Sequence, residues 1–152
     1  MMRKTLLSAI ASLTFVAVAT PGELRAQAAK VPVEKPGLFV NLTSDDTWRG
    51  WMALHCAWRT HQQGNPTTVV LNLEAVRWAW AKLPTRTIDN VGTQPQAALG
   101  NLLKDGGTVL VSQPALQRLG IPESELVPGV KLAAPGLTQS LMFKDGTRIM
   151  SW

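Results

Sequence analysis

The chain has no tyrosine and one cysteine, Cys56. A single cysteine excludes any disulfide within the chain. It has only two histidines, His55 and His61. They are six residues apart, so they miss the i, i+4 spacing of a helical metal pair. The phosphate-cradling patterns G-x-x-x-x-G-K-[ST] and G-x-G-x-x-G do not occur. The pair Gly106-Gly107 precedes an apolar run, the wrong side for cradling a phosphate. No G-x-S-x-G elbow surrounds any serine, and no internal repeat or low-complexity tract interrupts the chain. Walker-type nucleotide hydrolysis, dinucleotide chemistry and an α/β-hydrolase triad are therefore set aside.

Long apolar runs are missing except at the start. Arg3 and Lys4 precede an apolar stretch over 6–19, and Ala26-Gln27-Ala28 follows as an A-x-A cleavage pattern. The stretch is too short to span a bilayer comfortably. Residues 1–28 read as a Sec-type signal peptide cleaved after Ala28, giving a periplasmic or secreted protein with no remaining membrane anchor. There is no twin arginine, and no cysteine at the cleavage site for lipid attachment. Arg3, Lys4, Arg25 and Glu23 leave with the signal, so the mature chain carries 12 basic and 9 acidic residues. That mild, scattered excess does not point to nucleic acid.

What remains has the length of one domain. Residues 29–36 form a lead-in and 37–152 a single domain. Apolar or β-branched runs at Leu38–Leu42 and Thr67–Leu71 predict two buried strands. Between them a helix is predicted over 46–63, opened by Thr43, Ser44, Asp45 and Asp46 and stopped by Gly64. A short helix over 74–81, a loop over 83–94 and a helix from Pro95 to Lys104 follow. The third strand is Thr108–Val111, then a helix over 114–119. A fourth strand is expected over 130–133, a helix over 135–143 and a fifth strand over 147–151. Strands separated by helices of this size need right-handed crossovers and a mostly parallel sheet.

Such a sheet places its chemistry where the strands exit. The first exit supplies Asn41, Thr43, Ser44 and Asp45, the second Asn72 and Glu74, the third Ser112 and Gln113. Together they could surround a small polar ligand with hydroxyl, amide and carboxylate groups. The same residue types also cap helices with no ligand present. No histidine can be assigned to activate Ser112, and an unactivated serine is a poor nucleophile. His55 reads as a satisfied or partly exposed helix residue, and His61 sits near an exposed helix end. Cys56, among Ala53, Leu54, Ala57 and Trp58, reads as a buried, inert thiol, with a reactive or pairing thiol as the alternative. No cofactor or metal is implied. Six tryptophans accompany three phenylalanines. Trp48, Trp51 and Trp58 share one helix, and Trp78 and Trp80 another. They suit core packing, or the interface of a homo-oligomer.

The stretches GGTVLVSQPALQRLGI and LVPGVKLAAPGLT resemble the C-terminal half of the DsrE/DsrF-like family. LFVNLTSDD, MALHCA, VVLNLEAVRWA and the closing MSW extend the resemblance over residues 35–152. It implies a three-layer α/β/α domain with a five-stranded, mostly parallel sheet, often assembled into oligomers. Some members carry sulfur as a persulfide on a cysteine just after the strand corresponding to Thr108–Val111. Here that position is Ser112, so the chain resembles an exported, divergent member without the sulfur-carrying cysteine. Three functions follow as expectations. The first is a non-catalytic small-ligand or partner-binding module linked to sulfur metabolism. The second is a sulfur relay through Cys56, and the third an enzyme using Ser112.

Overall fold

The computed structural model describes residues 34–88 and 94–152. The predicted signal peptide, the start of the lead-in and part of the 83–94 loop lie outside the described residues. Five strands form one sheet in the order β4-β3-β2-β1-β5, with every pairing parallel. They are β1 (Leu38–Leu42), β2 (Thr67–Leu71), β3 (Thr108–Val111), β4 (Lys131–Leu132) and β5 (Arg148–Ser151). The helices are α1 (Thr47–Gln62), α2 (Pro95–Lys104), α3 (Gln113–Leu119) and α4 (Leu137–Met142). Two 3-10 segments, Leu73–Ala79 and Glu123–Glu125, follow β2 and α3.

Alternation along the strands sorts their side chains onto two faces. Val40, Leu42, Val69, Leu71, Val109 and Val111 point to one face and join the main core. Ala53, Leu54 and Ala57 of α1, Ala98, Leu99 and Leu102 of α2, and Leu116 of α3 pack against them. Phe39, Val70 and Leu110 point to the other face, where Leu141 and Met142 of α4 and Ala133 cover them. This is the expected α/β architecture with helices on both faces, and one face is much more thinly covered.

Local chemistry sets the ends of the elements. Asp46 caps α1, its carboxylate accepting from the Arg49 N–H at 2.9 Å. Gly64, at φ 84°, turns the chain into β2. α1 lies close on Trp78: a Cβ on Gly50 would meet the indole at 2.6 Å. Trp78 is fully buried and donates its Nε1–H to the Ser44 carbonyl at 3.1 Å.

Several predicted elements are corrected. The segment expected as a helix over 74–81 is a 3-10 helix, Leu73–Ala79, entered through Leu73 at φ 51°. β4 is two residues long because the Val130 N–H already bonds the Val127 carbonyl in a turn. β5 begins at Arg148 because the Thr147 N–H is held by the Lys144 carbonyl. α4 is six residues long and starts after Gly136, whose φ of 78° is not helical. Among the described residues no helix is long and apolar enough to cross a membrane.

Candidate functional site

The parallel ladder runs past the strands at the carboxyl edge. The Asn72 N–H donates to the Leu42 carbonyl at 2.9 Å, and the Ser112 N–H to the Leu71 carbonyl at 3.0 Å. By strand alternation this puts Asn72 and Ser112 on the face of Val70 and Leu110. Asn72 donates Nδ2–H to Asn41 Oδ1 at 2.7 Å. That bond fixes the amide between two strands.

Ser112 occupies the N-cap position of α3, yet its side chain makes no capping bond. The second helical position is Pro114, which has no N–H to offer. The Leu116 N–H is taken by the Ser112 carbonyl at 3.1 Å. The Ser112 hydroxyl is bonded to no other described residue and opens into a cavity of about 530 Å³. Asn72, Glu74 and Arg118 supply the other polar lining. Leu73, Pro114, Ala115 and Leu119 make the rest apolar.

Of the eight residues chosen at the strand exits, Asn72, Glu74 and Ser112 line this cavity, and Asn41 supports it from behind through Asn72. The others have structural bonds. Thr43 donates its hydroxyl to the Trp152 carbonyl at 2.8 Å, tying β1 to the residue after β5. The Ser44 hydroxyl accepts from the Asp46 N–H at 3.1 Å. Asp45 lies 3.5 Å from Arg77 Nε and 3.8 Å from Arg86 Nη2. Gln113 turns away and donates to Glu123 Oε1 at 2.9 Å. These four do not line the cavity, so the cluster read from three exits contracts to two.

Five lining residues escaped the sequence reading: Leu73, Pro114, Ala115, Arg118 and Leu119. Arg118 could have been found, because it lies one turn beyond Ala115 on α3 and so shares its face. Leu73 carries no such signal, since leucine rarely adopts a left-handed backbone.

Cys56 is half-buried, not sealed as expected. It lies ten residues beyond Asp46 on α1, about 15 Å along the helix from the strand exits. It therefore does not stand in for Ser112 in space. The histidines also sit on α1, outside this cavity. His55 stacks on Trp51 with centroids 5.0 Å apart and meets Trp58 edge-on at 5.8 Å. His61 Nε2 lies 2.9 Å from the Asp105 carbonyl. Among the described residues no group of three histidine, cysteine or acidic side chains is placed to hold a metal.

A second cavity, about 560 Å³, opens at the amino edge between Thr68, Thr108, Thr147 and the turn before β5. It is slightly larger, but open parallel sheets place ligands at the opposite edge. The amino-edge cavity is rimmed by Glu34, Lys35, Lys144 and Asp145, while the unbonded serine hydroxyl lies at the opposite edge.

No protein-family model matches the chain, and no curated protein matches it in sequence. Solved structures do match. The crystal structure of the ychN protein from E. coli has a TM-score of 0.65 at 14% identity. The match covers 78% of this chain and 99% of that one. The fold is of the DsrE/YchN type. A protein of unknown function, MTH1491 from Methanobacterium thermoautotrophicum, has a TM-score of 0.59 at 13% identity. That match covers 78% of this chain and all of the other, at 100%. At these identities a DsrE/YchN-like fold is what is shared.

Proposed function

We propose that this chain is an exported, DsrE-like binding module linked to sulfur metabolism, and that it is not a catalyst. Its carboxyl-edge cavity holds a small ligand through Asn72, Glu74, Ser112 and Arg118. The observation that carries this reading is Ser112, a free hydroxyl opening into the cavity. By the sequence resemblance, sulfur-carrying members have their cysteine at this position. A serine oxygen cannot carry sulfane sulfur, and no imidazole lies beside it to make it a nucleophile. It can donate and accept hydrogen bonds.

The test is amide-shift mapping of ¹⁵N-labelled protein against a panel of amino acids, carboxylates, amines and thiosulfate. Saturable shifts centred on Asn72 and Ser112 are expected. Shifts elsewhere only, with none at these residues, would remove the reading.

The half-burial of Cys56 supports a second reading, a sulfur relay through its thiol. Intact mass after polysulfide treatment tests it. Added sulfur atoms that disappear in Cys56→Ala would establish a sulfur acceptor, whereas an unchanged mass would leave a packing residue. We also propose secretion with cleavage after Ala28 and assembly into a homo-oligomer. The mass of the exported chain and light scattering test these two points.

A further inference from the structure

Leu73 is the one non-glycine residue with positive φ, 51°, among the described residues. The left-handed region crowds a Cβ against the carbonyl that follows, and glycine or asparagine relieves the conflict. Residues held in such conformations cluster at ligand sites, where the surroundings impose them. Burial does not compensate here, because the Leu73 side chain is 60% exposed. The fold therefore keeps an apolar side chain in a strained backbone and leaves it facing solvent.

Leu73 follows Asn72 directly and lines the same cavity as Ser112. Leu119 and Pro114 of α3 extend the apolar part of that lining. The cavity also holds one charge of each sign. Neither Glu74 nor Arg118 makes an ion pair with another described residue. A guanidinium is suited to bidentate bonds with a carboxylate. A carboxylate is the complementary partner for an ammonium.

We propose that Leu73 is a ligand-contacting residue and that the ligand is a free α-amino acid with an aliphatic side chain. Its carboxylate pairs with Arg118 and its ammonium with Glu74, while the aliphatic arm packs on Leu73, Leu119 and Pro114. The Ser112 hydroxyl and Asn72 Oδ1 orient the polar end. The cavity, about 530 Å³, falls within the range of about 300–1,000 Å³ common for small-molecule sites. This inference rests on the binding function assigned to the carboxyl-edge cavity.

The experiment titrates the exported protein with L-leucine, following the amide signals of Leu73, Ser112 and Arg118. N-acetyl-L-leucine and L-leucinamide remove one charge each and should bind about tenfold more weakly or worse. Leu73→Asn relaxes the backbone, so the melting temperature should hold or rise while leucine binding falls about fivefold or more. Arg118→Gln should weaken leucine but not leucinamide.

A lower melting temperature with unchanged leucine affinity would make Leu73 structural and overturn the proposal. Loss of an oligomer in Leu73→Asn at unchanged affinity would assign the side chain to a second copy, and would also overturn it. If leucine fails but other panel molecules shift Asn72 and Ser112, the ligand class falls and the binding reading stands. If nothing shifts those residues, both fall.

Discussion

Gly50 and Gly100 both lie inside helices, and the same substitution should act on them with opposite sign. Alanine favours a helix over glycine by about 1 kcal/mol. At Gly100 nothing lies within 4 Å of an added Cβ, so Gly100→Ala should stabilise by about 0.5–1 kcal/mol. At Gly50 the Cβ would meet the Trp78 ring at 2.6 Å. That ring is fully buried and held by the Ser44 carbonyl, so it has little room to move. Overpacking of this kind costs about 1–3 kcal/mol and outweighs the propensity gain, so Gly50→Ala should destabilise. Urea unfolding of the two variants checks both signs. At this scale the sequence made the site partly legible. Polar residues at a strand exit can be read directly, and Asn72, Glu74 and Ser112 were. Whether each faces a cavity or a neighbour depends on tertiary bonds, as with Asp45 and its two arginines. A leucine gives no sequence sign of a left-handed backbone, so Leu73 was hidden.

Between elements, Glu125 ties the two 3-10 segments. Its carboxylate accepts from Lys82 and from Trp80 Nε1, the latter at 2.8 Å. The Ala81 N–H reaches the Glu125 carbonyl at 2.9 Å, and the Val127 N–H reaches the Ala79 carbonyl at 2.8 Å. The Lys82 hydrogen bond, then that of Trp80, holds the Glu125 carboxyl below its ordinary value of 4.5. A carboxyl lowered in the fold adds stability above its unfolded value and loses it as pH falls through the folded one. Exchange at the Ala81 and Val127 amides, corrected for intrinsic rate, should therefore accelerate below pH 4.5. In Glu125→Gln that acceleration should be missing. Trp78 and Trp80, expected on one helix, have different surroundings: the 3-10 segment ends at Ala79, and the Trp80 N–H is engaged by Glu125. The long elements were legible because period and caps agreed: α1 and α2 begin and end within a residue or so of expectation. The 3-10 segment was misread because Ala75, Val76, Trp78 and Ala79 are buried in a pattern that also suits a short α-helix. β4 and β5 each begin one residue later than expected, because Val130 and Thr147 still close the turns over Pro128-Gly129 and Asp145-Gly146.

Across the whole molecule, parallel pairing was legible from alternation of strands and helices, but the order of strands was not. Alternation limits the crossovers and leaves open which edge each new strand joins. The faces are also unequal. Three helices and a 3-10 segment pack on one, while six residues of α4 guard Phe39, Val70 and Leu110 on the other. Phe143, just past α4, is 77% exposed and does not help seal that face. Local opening follows low burial, so α4 amides should exchange well before those of β1, β2 and β3. Native-state hydrogen exchange under denaturant should resolve the two groups, and a single uniform unfolding free energy would contradict it. The strand order has a kinetic consequence. β5 joins β1 at the sheet edge, and Thr43 and Trp152 are hydrogen-bonded across 109 residues of sequence. Closing so wide a loop loses much chain entropy before any contact rewards it. β1, β2 and β3, joined through nearer neighbours, can nucleate first. Substitutions in β5 should then change the rate at which the protein unfolds and leave its folding rate almost untouched.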